Sequence, residues 1–446
     1  MFKNYIQTAL RSIRKNKLYA AINIFGLAIG MAICILVFLF IREELSYDQW
    51  WEDVDQMYRV TGLFTQEENE EWLALTPFPI ARIVQDELPE VKAATKLNDA
   101  WNERLFEYDG YRFYSKSYAF VDTAFFDVFS FAFLSGNPAT VLQDPNNIVL
   151  SQKMAEQIFG KANPMGQSIQ FNSKKEYVVA GVLEAPIGPS HFEYDFYFPW
   201  HRTMDDLNDS EWVSMFNYYT YTKLHAGVDP LAFTEKMNQL FRSKLKGLQQ
   251  KNGVADMNSA DAQAYRESVR FGIQPVKDIH LRSHLDGEIN PNGQLRYIYI
   301  YALVAFIMLL VACINFMNMA TARSANRAKE VGVRKVIGAS RWQTSLQFLT
   351  ESMVQSFIAL LLAFLLAEFM LPSFNLLLEK DLSIFQSGAY SIFGFVLCFA
   401  LFTGLLAGSY PAFFLSAFQP IKVLKGDFSR SKESAPLRKG LVIFQF

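Results

Sequence analysis

The chain has 446 residues, of which 51% are apolar, and its formal net charge of −2 by itself says nothing about partners. The apolar residues gather in four long runs, at 20–41, 298–321, 344–371 and 392–414. A membrane-spanning helix needs about 20 predominantly apolar residues, so each run is long enough to cross a bilayer. This layout excludes most soluble enzyme folds.

The first nineteen residues predict a helix that lies on the inner membrane surface. Apolar residues from Phe2 to Ile13 recur at helical spacing, and the basic residues lie mostly off that stripe. The apolar run 20–41 is followed by Arg42-Glu43-Glu44, without a small-residue cleavage site. We therefore interpret this run as an uncleaved membrane anchor and not as a signal peptide.

Residues 42–297 are polar and predict a water-exposed domain of mixed α and β structure. The segments 57–61 and 177–183 alternate like strands, whereas 79–92 and 151–159 have helical patterns. The dense aromatic residues at strand spacing favour a hydrophobic core over a ligand groove.

His280 and His284 have a spacing that metal ligands use on one helix face. Since no third ligand is evident, packed or surface histidines are favoured. The cysteines at 34, 313 and 398 all lie in apolar runs and are interpreted as packing residues.

Charge asymmetry predicts the orientation in the membrane. Basic residues dominate 1–19, the loop 322–343 and the tail 415–446, whereas acidic residues outnumber basic ones in 42–297. Short basic segments stay in the cytoplasm. Both termini are therefore predicted inside, with 42–297 and the loop 372–391 outside.

The loop 322–343 carries signals for a short helix braced between two membrane helices. Gly338 suits a helix stop, and Ser340 with Gln343 forms a capping box for the next helix. A plain basic connector is the alternative, but the paired stop and restart signals favour a shaped docking element.

At 327–340, RAKEVGVRKVIGAS, the chain resembles the segment that joins the second and third helices of MacB/FtsX-type ABC transporter permeases. The stretches 4–17, 120–136, 150–166, 278–283 and 408–413 are similar to the large two-copy permeases of this type in Bacteroidetes. The resemblance implies a four-helix membrane bundle, with a large α+β extracytoplasmic domain of MacB periplasmic-core type between helices 1 and 2.

The same resemblance implies a dimeric permease in the inner membrane whose loop contacts ATPase subunits. The candidate coupling residues are Arg327, Glu330, Gly332, Arg334, Lys335, Gly338 and Ser340. The sequence has no GxxxxGK[ST] pattern, so ATP and Mg²⁺ are expected on a separate ATPase subunit, and this chain is expected to be non-catalytic and to bind no cofactor, metal or nucleic acid.

Within the apolar runs, glycine pairs and a few polar residues suggest a tight bundle. Gly26 and Gly30, and likewise Gly404 and Gly408, are four apart, which allows close helix approach. Interhelical hydrogen bonding is favoured over ion translocation for the polar residues Asn315, Asn318, Glu351 and Glu368. This suggests mechanical transmission to the outer domain without cargo passing between the helices.

Three functions for the chain stay open. The first is export of a drug, peptide or lipoprotein, together with an ATPase, a second permease copy or homodimer partner, and a membrane-fusion or other envelope protein. The second is an FtsX-like scaffold that activates an outer-side partner such as a cell-wall hydrolase. The third is a membrane-anchored sensor. Residues 437–446 resemble the start of a fifth span of a second copy, which predicts that the chain is a fragment.

Overall fold

The computed structural model describes residues 2–66, 69–100, 102–200, 216–251, 269–322, 331–385 and 389–416. The chain divides into two compact units. The membrane unit comprises Met1–Glu43 and Arg296–Phe446, and the second unit, which we call the α+β domain, comprises Glu44–Leu295.

The helices in chain order are α1 (Phe2–Lys15), α2 (Lys17–Ser46), α3 (Ile80–Glu87), α4 (Phe125–Val128), α5 (Gln152–Phe159), α6 (Pro230–Lys251), α7 (Ile279–Arg282), α8 (Leu295–Ala322), α9 (331–336), α10 (Arg341–Leu378) and α11 (Ala389–Ser416). The strands are β1 (Met57–Gln66), β2 (Asn69–Leu73), β3 (Val91–Asp99), β4 (Arg104–Tyr108), β5 (Tyr111–Ser115), β6 (Tyr118–Val121), β7 (Phe133–Ser135), β8 (Asn147–Ser151), β9 (Ser168–Phe171), β10 (Lys175–Leu183), β11 (Phe196–Pro199), β12 (Tyr219–Leu224) and β13 (Val269–Pro275).

Four described helices, α2, α8, α10 and α11, are long and apolar enough to cross a membrane. The predicted four-helix membrane bundle with a domain between helices 1 and 2 is therefore confirmed. Helix α10 has 38 residues, about 57 Å at 1.5 Å per residue, which exceeds the ~30 Å hydrocarbon core. Pro372, where the sequence prediction started the external loop, lies inside α10.

The α+β domain is built on one mixed sheet. Its strand order among the described residues is β13-β1-β12-β3-β6-β11-β8-β10-β9-β4-β5, with β2 paired to β1 and β7 to β10. The pairs β6–β11 and β8–β10 are parallel, and the other pairs are antiparallel.

Aromatic residues fill the core of the domain, as the sequence favoured. Phe125 and Phe129 on and after α4 are fully buried, and Phe131 is half-buried against them. A second cluster lies under α3 and α6, and a third lies under α5. The rings pack edge to face and in tilted arrangements, for example Phe129 against Phe192 at 4.9 Å, which rigidifies the centre of the sheet.

Two predicted helices in the domain have different outcomes. Helix α5 begins after Ser151, whose Oγ accepts a bond from the Met154 N–H at 3.1 Å, as its pattern predicted. The helix predicted at 79–92 is wrong beyond Glu87, because Leu88 is extended, with φ −110° and ψ 107°. Leu88 precedes a proline, which disfavours the helical conformation of that residue.

Candidate functional site

The segment between α8 and α10 contains the predicted helix stop. Helix α9 ends at 336, and Gly338 follows with φ +103°. The N–H of Ala339 then donates to the carbonyl of Arg334 at 3.0 Å. A positive φ is a conformation that glycine adopts without a steric penalty, so the stop at Gly338 is confirmed.

A complete capping box, formed by Ser340 and Gln343, begins helix α10. The Gln343 N–H donates to Ser340 Oγ at 3.2 Å, and the Ser340 N–H donates to Gln343 Oε1 at 3.0 Å. Both bonds satisfy backbone donors that the first turn of a helix leaves without partners. The geometry therefore fixes the first residue of α10 at Arg341.

The described part of this segment is anchored on one side. Val331 is buried with Phe348 and Ala412, and Arg334 Nη1 donates to Gln347 Oε1 on α10. Gly332 is buried in α9. For Lys335, burial and the nearby Arg341 lower the pKa of the ammonium group. Arg327 and Glu330 lie outside the described residues.

The opposite side of the segment is apolar and exposed, which the sequence reasoning missed. Val333, Val336 and Ile337 are 49% to 81% exposed, and Trp342 in the first turn of α10 is 65% exposed. We call these four residues the apolar coupling face. The signal was present in the sequence as apolar residues within a basic loop. Clustered exposed apolar side chains are typical of protein-binding surfaces.

The glycines singled out in the apolar runs lie at close helix contacts. A Cβ at Gly30 would come within 2.9 Å of Ala312 Cβ, and one at Gly408 within 2.7 Å of Ser352 Cβ. Gly404 lies against Met353 and Ser356, and Gly26 faces the Asn315 amide at 3.4 Å. The α2–α8 and α10–α11 pairs therefore approach more closely than larger residues would allow.

The polar residues in the apolar runs have different surroundings. Glu351 is buried and lines a cavity of about 20 Å³ with Ser352 and Gln355, which is room for about one water molecule. Glu368 is exposed on α10, and Asn318 is half-buried on α8.

Buried polar pairs join the segments that begin and end the α+β domain. Glu44 Oε2 lies 2.9 Å from His280 Nε2, and both side chains are buried. Tyr47 stacks on the His280 ring at 3.5 Å. A Cβ at Gly293 would come within 2.5 Å of the same Glu44 oxygen, so a larger residue there would displace the Glu44 carboxylate.

His280 and His284 lie on either side of the end of helix α7. Helix α7 ends at Arg282, and Ser283 is extended, so His280 and His284 do not share a helix face. His280 is buried, as the packing interpretation favoured. Among the described residues, no group of three His, Cys, Asp or Glu side chains is arranged to hold a metal.

A second buried network is built around Asp48, which has no exposed surface and a φ of +59°. Its carboxylate accepts bonds from Ser190 Oγ at 2.7 Å, Trp51 Nε1 at 3.0 Å and the His191 N–H at 3.1 Å. His191 Nδ1 lies 2.9 Å from Oδ2, and its Nε2 lies 2.8 Å from the hydroxyl of Tyr221. Burial alone would raise the pKa of Asp48, but the attraction of His191 and these bonds outweigh it and lower the pKa.

A third buried pair joins β1 to the last segment of the domain. The side chain of Arg59 is fully buried and donates two hydrogen bonds to the Glu288 carboxylate. Nη1 donates to Oε2 at 2.5 Å, and Nη2 donates to Oε1 at 2.8 Å. Gln274 and Ser283 accept further bonds from Arg59 Nη2. Burial would raise the pKa of Glu288, but the bond from Arg59 holds it below its ordinary value.

We call these six residues the junction cluster: Glu44, Asp48, Arg59, His191, His280 and Glu288. Glu44 and His280 join the segment that begins the domain to the segment that ends it. Asp48 and His191 join the first segment to the loop after β10, and Arg59 and Glu288 join β1 to the last segment. The sequence reasoning found none of these pairs. Charged groups are this deeply buried only when they are paired and hydrogen-bonded, so the cluster is a specific arrangement.

Comparisons with known proteins agree with this architecture. The MacB-like periplasmic core domain matches residues 20–240, and the FtsX-like permease C-terminal domain matches residues 302–420. The macrolide export ATP-binding/permease protein MacB of Bdellovibrio bacteriovorus is 27% identical over 283 residues, which cover 62% of this chain and 38% of that protein. An uncharacterized ABC transporter permease, YknZ, of Bacillus subtilis is 26% identical over 211 residues, covering 47% and 45%.

Among solved structures, the periplasmic region of MacB from Actinobacillus actinomycetemcomitans matches with a TM-score of 0.34 and 14% identity, covering 50% of this chain and 90% of that one. The chain spans less than half the length of the two curated relatives described above. The first match covers most of α2 and most of the α+β domain, and the second covers most of the chain from α8 through α11. They occur in the order expected for a permease, and together they cover most of the chain. The chain belongs to the MacB/FtsX-type ABC transporter permeases.

Proposed function

We propose that this permease couples ATP hydrolysis on a separate ATPase subunit to movement of its α+β domain on the outer side of the inner membrane. Both termini would lie in the cytoplasm, and ATP and Mg²⁺ would bind the partner subunit. A second permease copy or a homodimer partner would complete the assembly. The work done outside would be export of a drug, peptide or lipoprotein.

The observation that carries this proposal is the segment between α8 and α10. It is fixed on one side by Val331 and Arg334, it is bounded by Gly338 and the Ser340 capping box, and its other side is the apolar coupling face. A flexible connector needs none of these features. A rigid segment with an exposed apolar face is suited to transmit the displacement of a bound partner into α10.

The experiment uses Ile337→Asp. The Ile337 side chain is 81% exposed, so we expect this substitution to leave the fold intact. Burying an isoleucine on docking contributes about 1.5–3 kcal/mol, so its loss should weaken ATPase binding about tenfold to hundredfold. We would measure copurification of the ATPase and the stimulation of its activity by the reconstituted permease.

Ile187→Asp is the matched control, since Ile187 is 74% exposed and belongs to the α+β domain. It should leave both readouts unchanged. If Ile337→Asp binds and stimulates the ATPase at the wild-type level, the segment is a connector and the coupling proposal is wrong. Arg334 is a less suitable target, because its bond to Gln347 also holds α10.

The orientation has its own test. In a background without the native cysteines, Lys161→Cys in the domain and Val336→Cys in the coupling segment are both at exposed positions. An impermeant thiol reagent applied to intact spheroplasts should label the first and spare the second. The opposite pattern would invert the proposed topology.

A further inference from the structure

The α+β domain has a second feature that the coupling proposal does not use, a partly open cavity of about 200 Å³. It lies between the start of α5, the end of β10 and the loop that follows β10, against Trp50 and Trp51. None of the junction cluster residues lines it.

Six aromatic residues line the cavity. Trp50 and Trp51 stack at 3.8 Å, and Phe131 meets Trp51 edge to face at 4.9 Å. Phe192, Tyr194 and Tyr197 complete the wall and are buried. Because these rings already pack on one another, the cavity is preformed and needs little reorganisation to accept a ligand.

The hydrogen-bond donors of this wall are already engaged. Trp50 Nε1 donates to the carbonyl of Pro189 at 3.0 Å, and Trp51 Nε1 donates to Asp48. The Tyr194 hydroxyl donates to Asp99 at 2.8 Å. The wall therefore presents ring faces and edges to a ligand and offers it few donors.

Carboxylates dominate the mouth of the cavity. The side-chain carboxylates of Glu184 and Glu193 are exposed and form no hydrogen bond or ion pair with any described residue, and Asp195 accepts a bond from Ser151 Oγ at 2.9 Å. Lys153 is the single basic residue among the lining side chains. An aromatic wall with acceptors at its mouth favours a cation, since ring faces also attract positive charge.

We propose that this cavity binds a small aromatic amine, with one ring against the tryptophans and an ammonium group at Glu184 and Glu193. The volume supports this size class, because an engineered cavity of about 150 Å³ holds one benzene ring. A cavity of about 200 Å³ therefore holds one ring with a short chain, and a macrocycle is too large for it. This proposal does not depend on ATPase coupling.

The test uses the full chain in lipid nanodiscs and titration calorimetry with three matched probes. Phenethylamine is the cation, 2-phenylethanol is the neutral analogue, and 3-phenylpropionate is the anion. We expect the amine to bind tightest and the anion weakest. The double variant Glu184→Gln with Glu193→Gln should weaken only the amine, by about twofold to thirtyfold, the range for losing two exposed charge contacts.

Two further variants make the result decisive. Glu176→Gln removes an exposed carboxylate at the other end of β10 and should leave amine binding unchanged. Ala185→Trp places a ring at the exposed mouth and should reduce binding of all three probes. Equal binding of the amine and the alcohol, no binding of the amine in the millimolar range, or equal loss in Glu176→Gln would each overturn the proposal.

Discussion

The junction cluster allows a quantitative prediction at Asp48. Asn is the closest replacement in shape, and it tolerates the left-handed backbone that φ +59° requires. The substitution therefore removes the charge and one acceptor without backbone strain. In one orientation, the new amide N–H₂ group would face the hydroxyl of Ser190 and the indole N–H of Trp51. In the other orientation, it would face the backbone N–H and the ring of His191.

The expected cost follows from these contacts. Removing one partner of a buried, hydrogen-bonded charge pair costs about 3–5 kcal/mol. For a domain of this size, 1 kcal/mol lowers Tm by about 2–4 °C, so Asp48→Asn should lower the Tm of the domain by about 6–20 °C. The assay is thermal unfolding of the full chain in detergent, followed by intrinsic fluorescence.

Asp109→Asn is the matched control, because Asp109 has φ +47° and is exposed in the turn between β4 and β5. Its Tm should stay within about 1 °C of wild type, as expected for a surface substitution. A Tm for Asp48→Asn as close to wild type as that of the control would refute the reasoning, because the buried network would then contribute little to stability.

Three other predictions address pH, charge geometry and helix packing. Since the pKa of Asp48 is lowered on folding, its contribution to stability is fully present above the ordinary Asp pKa of about 4 and is lost as the pH falls from there through the lowered pKa. The Tm gap between wild type and Asp48→Asn should therefore stay constant above about pH 5 and narrow on further acidification, and a gap that does not narrow would contradict this. Arg59→Lys loses the fork of bonds and should cost about 2–4 kcal/mol in denaturant unfolding, whereas exposed Arg112→Lys should cost under about 1 kcal/mol. Gly408→Ala would place its Cβ 2.7 Å from the Cβ of Ser352 on α10, so it should lower the Tm of the purified chain. Gly394→Ala has open space around its Cβ and should leave the Tm unchanged. Equal effects of the two substitutions would show that the close contact at Gly408 is unimportant.

The features that the sequence predicted well are local. The Ser340 capping box joins residues three apart, and the stop at Gly338 depends on one backbone conformation. The four membrane helices follow from hydropathy alone. Such signals lie within a single turn or a single run, so one sequence is enough to read them.

The junction cluster could not be predicted in this way. Glu44 and His280 are 236 residues apart, and Asp48 and His191 are 143 apart. Each looks like an ordinary polar residue in its own segment, and only the tertiary fold brings the partners together. The helix predicted beyond Glu87 failed for a different reason, because the apolar pattern was given more weight than the proline that follows Leu88.

The junction cluster also bears on the proposed mechanism. If force enters the α+β domain through the segment near Glu44 alone, moving that segment away from His280 would leave the buried Glu44 carboxylate without its hydrogen-bond partner. That costs several kcal/mol, comparable with the differences between the conformations of a switching protein. Under the proposed mechanism, the beginning and the end of the domain should therefore move together.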